Sequence, residues 1–164
     1  DVAGLPSYKI AQFGISRTFQ LTKVFRNMSI KDNLLMAKEA SEKEMEDVIK
    51  SVYLNKPLDT TASELSYGQQ RLLEIARALL MPHNLLMLDE PTAGVNPRIR
   101  QELKIILKKL RKEGKTVLLI EHDMDFVMDI SDKVIVLAEG SVLREGKPNE
   151  IMKDKKVLEV YLGK

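Results

Sequence analysis

The sequence predicts an α/β fold, in which a parallel sheet flanked by helices is entered through a small helical subdomain. Three observations carry that expectation. From about Ser66 onward, short apolar runs take turns with segments of helical period. Gly and Pro fall where those elements should end. Composition also shifts near Ser66, from a Lys/Glu-rich helical pattern to apolar runs.

A helix predicted over Gln69 to Leu80 sets Leu72, Leu73, Ile75, Ala76, Leu79 and Leu80 on one wide face, and Pro82 stops it. Leu85 to Leu88 reads as a strand buried on both faces. Asn96 can cap, and Pro97 can open, a helix whose Leu103, Ile106, Leu107 and Leu110 recur at three and four. Gly114 closes it as a C-terminal cap. Val117 to Ile120 is a second all-apolar strand, a helix follows from Asp123 to about Ile130, and Val134 to Leu137 is a third strand. Strand, helix, strand in this order implies parallel neighbours. Gly140 ends the third strand, Ser141 to Arg144 reads as a short return strand, and Pro148 to Lys153 and Lys155 to Leu162 read as peripheral helices. Upstream, Leu34 to Ser51 carries a helical pattern and Lys56 to Ser63 a polar connection. The expected organisation is core in residues 1–20, a helical subdomain in 21–64, and an α/β core with C-terminal helices in 65–164.

The 164 residues are 44% hydrophobic and 30% charged, with 26 basic and 24 acidic side chains. At this length a chain buries roughly 70% of its unfolded surface, which disfavours intrinsic disorder. A net charge of +2 removes the argument for a strongly basic nucleic-acid binder, and no nucleic acid is expected as a partner. The stretch Lys108-Lys109 with Arg111-Lys112 reads as solvated helix surface. With no cysteine, disulfides, thiolate metal sites and Cys nucleophiles are excluded. The apolar runs fall far short of the ~20 residues that cross a bilayer.

Three segments could carry chemistry. Leu85-Leu86-Met87-Leu88-Asp89-Glu90-Pro91 is an apolar strand that delivers two adjacent carboxylates to its C-terminal end, where open α/β sheets bind ligands. Neighbouring acids on an emerging strand point different ways, so one can hold magnesium while the other polarises a water, an arrangement suited to phosphate hydrolysis. The plainer alternative is that Asp89 and Glu90 merely begin a loop and cap the segment after it. Leu65-Ser66-Tyr67-Gly68-Gln69-Gln70-Arg71 sets a Ser and a Gly before an amphipathic helix, which suits an anion but equally an ordinary Ser-x-x-Gln capping box. His122, in Leu119-Ile120-Glu121-His122-Asp123, follows a strand end and is expected at the same sheet edge as Asp89 and Glu90. Neither His83 nor His122 sits in a zinc-binding spacing, and no G-x-S-x-G elbow occurs.

Taken in order, these segments resemble the ATPase domain of ABC transporters: signature motif, Walker B strand with its Glu, and switch His. Arg17-Thr18-Phe19-Gln20 is similar to the glutamine loop of that family, and Ala93-Gly94-Val95-Asn96-Pro97 to its D-loop. The fold implied is P-loop NTPase-like. The Arg-Thr-Phe-Gln form, Leu-Ser-Tyr-Gly-Gln-Gln-Arg, Glu121-His122-Asp123-Met124 and the ending Gly146-Lys147-Pro148, Glu150-Ile151 and Val160-Tyr161-Leu162-Gly163 resemble the ATP-binding subunits of branched-chain amino acid importers. Subunits for lipopolysaccharide export share much of this pattern.

The resemblance implies roles. Asp89 would help hold Mg2+, Glu90 would act as base toward the attacking water, His122 would contact the γ-phosphate of ATP, and Gln20 would approach the metal and water. Ser66, Gly68 and Gln69 would bind the γ-phosphate of ATP held by the opposite subunit of a head-to-tail dimer, with Tyr67 and Asn96 at the dimer interface. Tyr67 and Asn96 depart from the commoner small residue and Asp at those positions. Integral membrane permease subunits are the implied partners, and the implied location is cytoplasmic, peripheral on the inner face of the cell membrane. The segment around Phe25 to Ala37 is the expected coupling surface, with plain core as the alternative for Phe25, Met28 and Ile30.

No G-x-x-x-x-G-K-[ST] phosphate loop occurs in the 164 residues. Gly114-Lys115-Thr116 lacks the first Gly and lies between helix and strand, the wrong order, so it reads as a helix stop. Because the chain starts at Asp1 and enters the family pattern abruptly, it is expected to be the C-terminal part of a longer ATPase with the N-terminal part of the fold missing. The 164 residues alone are then expected to bind ATP weakly. The stretch between Gln20 and Ser66 is also expected to be short for the family. Two other function classes stay open, a non-hydrolysing binding module and a soluble ABC ATPase outside transport.

Overall fold

The computed structural model describes residues 2–162; Asp1 and Gly163, both used in the sequence reading, lie outside them. The chain forms two compact units, one up to Ile120 and one from Glu121 onward.

In the first unit, α1 (Ser7–Gln12) leads through Gly14 into β1 (Ile15–Arg17). Gly14 needs to be glycine because its φ is +77° and a Cβ there would meet the Asn84 backbone nitrogen at 3.3 Å. That approach lets the Asn84 N–H donate to the Gly14 carbonyl at 2.8 Å, which starts the pairing of β1 with β2 (Leu85–Asp89). β2 is central, parallel to β1 on one side and to β3 (Thr116–Ile120) on the other. The register sets Leu86 beside Val117, Leu88 beside Leu119 and Asp89 beside Ile120.

The strand β2 was expected to be buried on both faces, and only one face is. Leu86 and Leu88 are fully buried, whereas Leu85 and Met87 are half-buried. On the neighbouring positions of β3, Leu118 and Ile120 are 47% and 55% exposed. Alternation explains the split, since Leu86, Leu88, Val117 and Leu119 share the covered face and the others point away from it.

Two long helices flank the sheet in sequence. α4 (Tyr67–Leu80) buries Leu72, Leu73, Ile75 and Ala76. α5 (Pro97–Lys112) buries Leu103, Ile106, Leu107 and Leu110, with Asn96 Oδ1 accepting from the Ile99 N–H at 3.0 Å and Pro97 in the first turn. Burying each such side chain contributes about 1.5–3 kcal/mol. At the far end Gly114, φ +77°, lets Lys115 N–H return to the Leu110 carbonyl at 3.1 Å, so Gly114-Lys115-Thr116 is the helix stop expected.

The pattern from Leu34 to Ser51 resolves into two helices, α2 (Ile30–Leu35) and α3 (Glu42–Ser51). The break has a local cause: Ser41 and Glu44 form a capping box that starts a new helix, as Ser29 and Asp32 do for α2. A fully buried Asn33 then organises the segment ahead of α2. Its Oδ1 accepts from the Phe25 N–H at 2.8 Å, and its Nδ2 donates to the Phe25 and Ser29 carbonyls at 2.9 Å each. Gln70, reaching from α4, donates to the Ala62 and Leu65 carbonyls and closes the polar connection.

The second unit holds α6 (Met124–Ile130), β4 (Val134–Ala138), β5 (Ser141–Gly146), α7 (Pro148–Ile151) and α8 (Lys155–Leu162). β4 was expected to run parallel to the preceding strand; it pairs antiparallel with β5 in a separate two-stranded sheet. The turn decides this. Glu139 and Gly140 have φ of 48° and 75°, the left-handed pair that a two-residue hairpin requires. Nor are the last helices peripheral to this unit, because Ile151 of α7 and Val157 of α8 join Val134 and Val136 in its core.

Candidate functional site

At the C-terminal end of β2 the sequence-predicted acids and the glutamine meet. Asp89 is the last residue of the strand, and Glu90 follows it with φ +44°. A left-handed conformation is uncommon for a residue with a Cβ and is held by its surroundings, here by the Glu90 N–H donating to the Ile120 carbonyl at 2.9 Å. The two carboxylates diverge accordingly. Asp89 lies 3.6 Å from the Arg17 guanidinium, and Glu90 Oε2 accepts from Gln20 Nε2 at 3.0 Å. Gln20 reaches the site because β1 pairs with β2 and the Thr18 N–H continues that ladder to the Met87 carbonyl at 2.9 Å.

The second predicted segment opens α4. Ser66 and Gln69 form the capping box, Gln69 N–H to Ser66 Oγ at 3.3 Å and Ser66 N–H to Gln69 Oε1 at 3.0 Å. Gly68 is buried against α5, where an added Cβ would stand 3.0 Å from Ile99 Cγ1. Tyr67 lies against Gly94, whose φ is +69° and whose absent Cβ would meet the Tyr67 ring at 3.3 Å. Tyr67 is thus in contact with the Ala93–Pro97 segment of its own chain, and Asn96 caps α5 there.

Sequence reasoning missed what joins these two segments. Arg71, fully buried one turn into α4, donates through Nη1 to the Phe19 carbonyl at 2.6 Å and to Glu74 Oε2 at 2.8 Å. Its Nη2 donates to the Gln20 carbonyl and to the Tyr67 hydroxyl. Glu74 accepts from the Lys23 N–H at 3.3 Å, and burial pushes its carboxyl above the ordinary 4.5 although Arg71 pulls the other way. The available signal was Arg and Glu three apart among the apolar Leu72, Leu73, Ile75 and Ala76, a pair that burial tolerates only when matched.

His122 belongs to the second unit, two residues past Ile120 in the chain. It is exposed, and its N–H contacts Glu121 Oε2 at 3.2 Å. Among the described residues no group of three or more His, Asp or Glu side chains could hold a metal by itself. Asp89 and Gln20 supply two oxygens at one sheet edge, which fits a hard cation that keeps waters and phosphate oxygens as its other ligands. A cavity of about 450 Å³ lined by Leu79, His83, Leu110 and Lys115 lies at the opposite, N-terminal end of β2, away from the edge where such sheets bind ligands. No helix among the described residues is long and apolar enough to cross a membrane.

Comparison with known proteins agrees with this outline. The family described as ABC transporter matches residues 4–93. The chain is 40% identical over 186 residues to the high-affinity branched-chain amino acid transport ATP-binding protein BraF of Pseudomonas aeruginosa, covering 99% of this chain and 73% of BraF. Since 186 exceeds 164 by 22, BraF carries at least that many residues within the aligned region that this chain lacks. Among solved structures, a crystal structure of an ATP-binding cassette of an ABC transporter superposes with a TM-score of 0.85 at 29% identity, over 98% of this chain and 73% of the other. A dimeric ATP-binding cassette in a post-hydrolysis state with ADP and Pi gives 0.75 at 27% identity, over 86% of this chain and 66% of the other.

Proposed function

We infer the function from one premise: the chain belongs to the ABC transporter family of ATP-binding proteins, and is an ATPase. It works in the import of branched-chain amino acids, as its similarity to the branched-chain amino acid transport ATP-binding protein BraF supports. The observation that carries the catalytic reading is the Gln20–Glu90 hydrogen bond at the end of β2, which joins the glutamine loop to the acid.

In this reading Glu90 is the general base that takes a proton from the attacking water. Gln20 orients that water, and Asp89 with the Gln20 side-chain oxygen would hold Mg2+. When bound, the cation neutralises charge that develops on the phosphate oxygens, and the residues of this chain supply position. His122 donates to the γ-phosphate. Ser66, Gly68 and Gln69 present the start of α4 to the γ-phosphate of ATP held by a second, head-to-tail subunit, where the helix dipole favours an anion. Tyr67 and Asn96 lie at that dimer interface; the dimeric cassette that resembles this chain supports the arrangement.

The partner is a membrane permease, met from the cytoplasmic side. Support comes from exposed apolar side chains that follow Gln20 in sequence: Leu21 is 70% exposed, and Phe25, Met28, Leu35 and Met36 are exposed as well. Of the three residues for which plain core was the alternative, Ile30 is fully buried core, whereas Phe25 and Met28 are exposed. The test is MgATP turnover of the protein with its permease, with and without leucine, isoleucine or valine. Glu90→Gln should abolish turnover and spare nucleotide binding, and preserved turnover would refute the base assignment. Turnover indifferent to all three amino acids refutes the substrate.

A further inference from the structure

Between Gln20 and α4 the chain makes an unusual set of contacts. Arg71, Glu74 and Arg77 stand at i, i+3 and i+6 on α4, so they form one row along the helix. Each reaches the backbone of the segment Phe19 to Lys23. Arg71 takes the Phe19 and Gln20 carbonyls, Glu74 takes the Lys23 N–H, and Arg77 Nη1 takes the Lys23 carbonyl at 2.6 Å. Arg77 also lies over the Phe25 ring, 4.9 Å from its centroid. All of these contacts lie within the first unit.

We propose that this row is a backbone clamp and that Arg71 is a positioning residue for ATP hydrolysis, fixing Gln20 so that its amide sits on Glu90. The proposal rests on the catalytic roles proposed for Gln20 and Glu90. Side chains that grip carbonyls and N–H groups hold the course of a loop whatever side chains the loop carries, so Leu21 and Phe19 can stay exposed while the path between them is fixed. A planar guanidinium suits the task. It alone can satisfy two successive carbonyls and a carboxylate at once, and a lysine ammonium, with one charge centre, cannot bridge them. The same helix carries Ser66 at its N-cap and Gly68 and Gln69 in its first turn, just before Arg71. Movement of α4 at that end therefore drags the Gln20 backbone, and the two segments that face nucleotide in the proposed function move as one body.

A merely structural buried ion pair makes a different prediction, and the absence of cysteine gives a clean probe. A nitroxide attached through Leu21→Cys reports the mobility of the loop in the full chain. With the native clamp its spectrum should show an immobilised component. Arg71→Lys keeps the charge beside Glu74 and the fold, as circular dichroism would show, but should lose that component. Arg71→Met with Glu74→Met removes the pair together, leaves no unpaired buried charge, and should also free the loop. In MgATP turnover Arg71→Lys should lower kcat by about tenfold or more with KM little changed, the pattern of a misplaced group and not of weakened binding. If the immobilised component survives in both folded variants, the clamp is refuted. If it is lost but kcat holds, Arg71 shapes the loop without positioning Gln20 for catalysis, and the proposal falls. Gln20→Ala separates the two readings: unchanged turnover with an intact immobilised component overturns the role of Gln20 itself.

Discussion

Gly68 allows a sharp test, because the structure gives it a packing reason that is independent of any ligand. Replacing Gly68 by Ala adds a Cβ 3.0 Å from Ile99 Cγ1 and 3.6 Å from its Cβ and Cγ2. Ile99 is only 7% exposed and sits in the first turn of α5, so it has little room to yield. Overpacking a buried contact costs about 1–3 kcal/mol. Against this, losing a glycine from a helix at ordinary φ stabilises by about 0.4–1 kcal/mol. The net expectation is destabilisation by about 0.5–2 kcal/mol, equivalent to a fall in Tm of about 1–8 °C at 2–4 °C per kcal/mol. The sign should invert when the obstruction is removed. Ile99→Ala alone costs about 2–5 kcal/mol through its cavity, but in that background Gly68→Ala should stabilise by roughly 0.4–1 kcal/mol or more. Urea unfolding of the four proteins of this cycle, followed by circular dichroism, measures the coupling directly. A rise in the midpoint for Gly68→Ala in the parent, or the same shift in both backgrounds, would show that the α4–α5 contact does not require glycine.

Two further outcomes rest on named contacts. Asn96→Ala removes the acceptor for the Ile99 N–H and should cost about 1 kcal/mol in thermal unfolding, whereas Asn96→Asp keeps the acceptor, adds favourable charge at the helix start, and should be neutral or slightly stabilising. Equal losses for both would refute the capping role. Burial raises the folded-state pKa of Glu74 above its ordinary 4.5, so the folded protein binds more protons than the unfolded chain between those two values. Stability then falls as pH rises through that window. Compared with Glu74→Gln, the native protein should gain stability as pH is lowered toward 4.5, and a difference that shrinks instead would refute a raised pKa.

Much of the site was legible as residue types in order. Asp89 and Glu90 at a strand end, Ser66 with Gln69 as a capping pair, and Asn96 before Pro97 all rest on rules that act over a few residues. The Ser66–Gln69 and Asn96–Ile99 contacts are local, their partners lying three positions apart. The Gln20–Glu90 bond spans 70 residues and the Arg71 contacts span 51 and 52, and no local pattern announces which distant groups will meet. Likewise the break at Ser41 was readable from its capping box, but the competing Lys/Glu periodicity across it concealed the boundary.

From sequence alone came the α/β class, the alternation of β2, α5 and β3, and the family resemblance, because hydrophobic period and local caps are properties of neighbouring residues. Tertiary structure decided the rest. It put Leu118 and Ile120 on an open face, set β4 apart from β3 in a sheet of its own, and buried Arg71 and Glu74 on the side of α4 away from its expected apolar face. Each of these depends on what packs against a residue from elsewhere in the chain. Burial of a matched charge pair is favourable only once the Phe19 and Gln20 carbonyls and the Lys23 N–H are there to complete it.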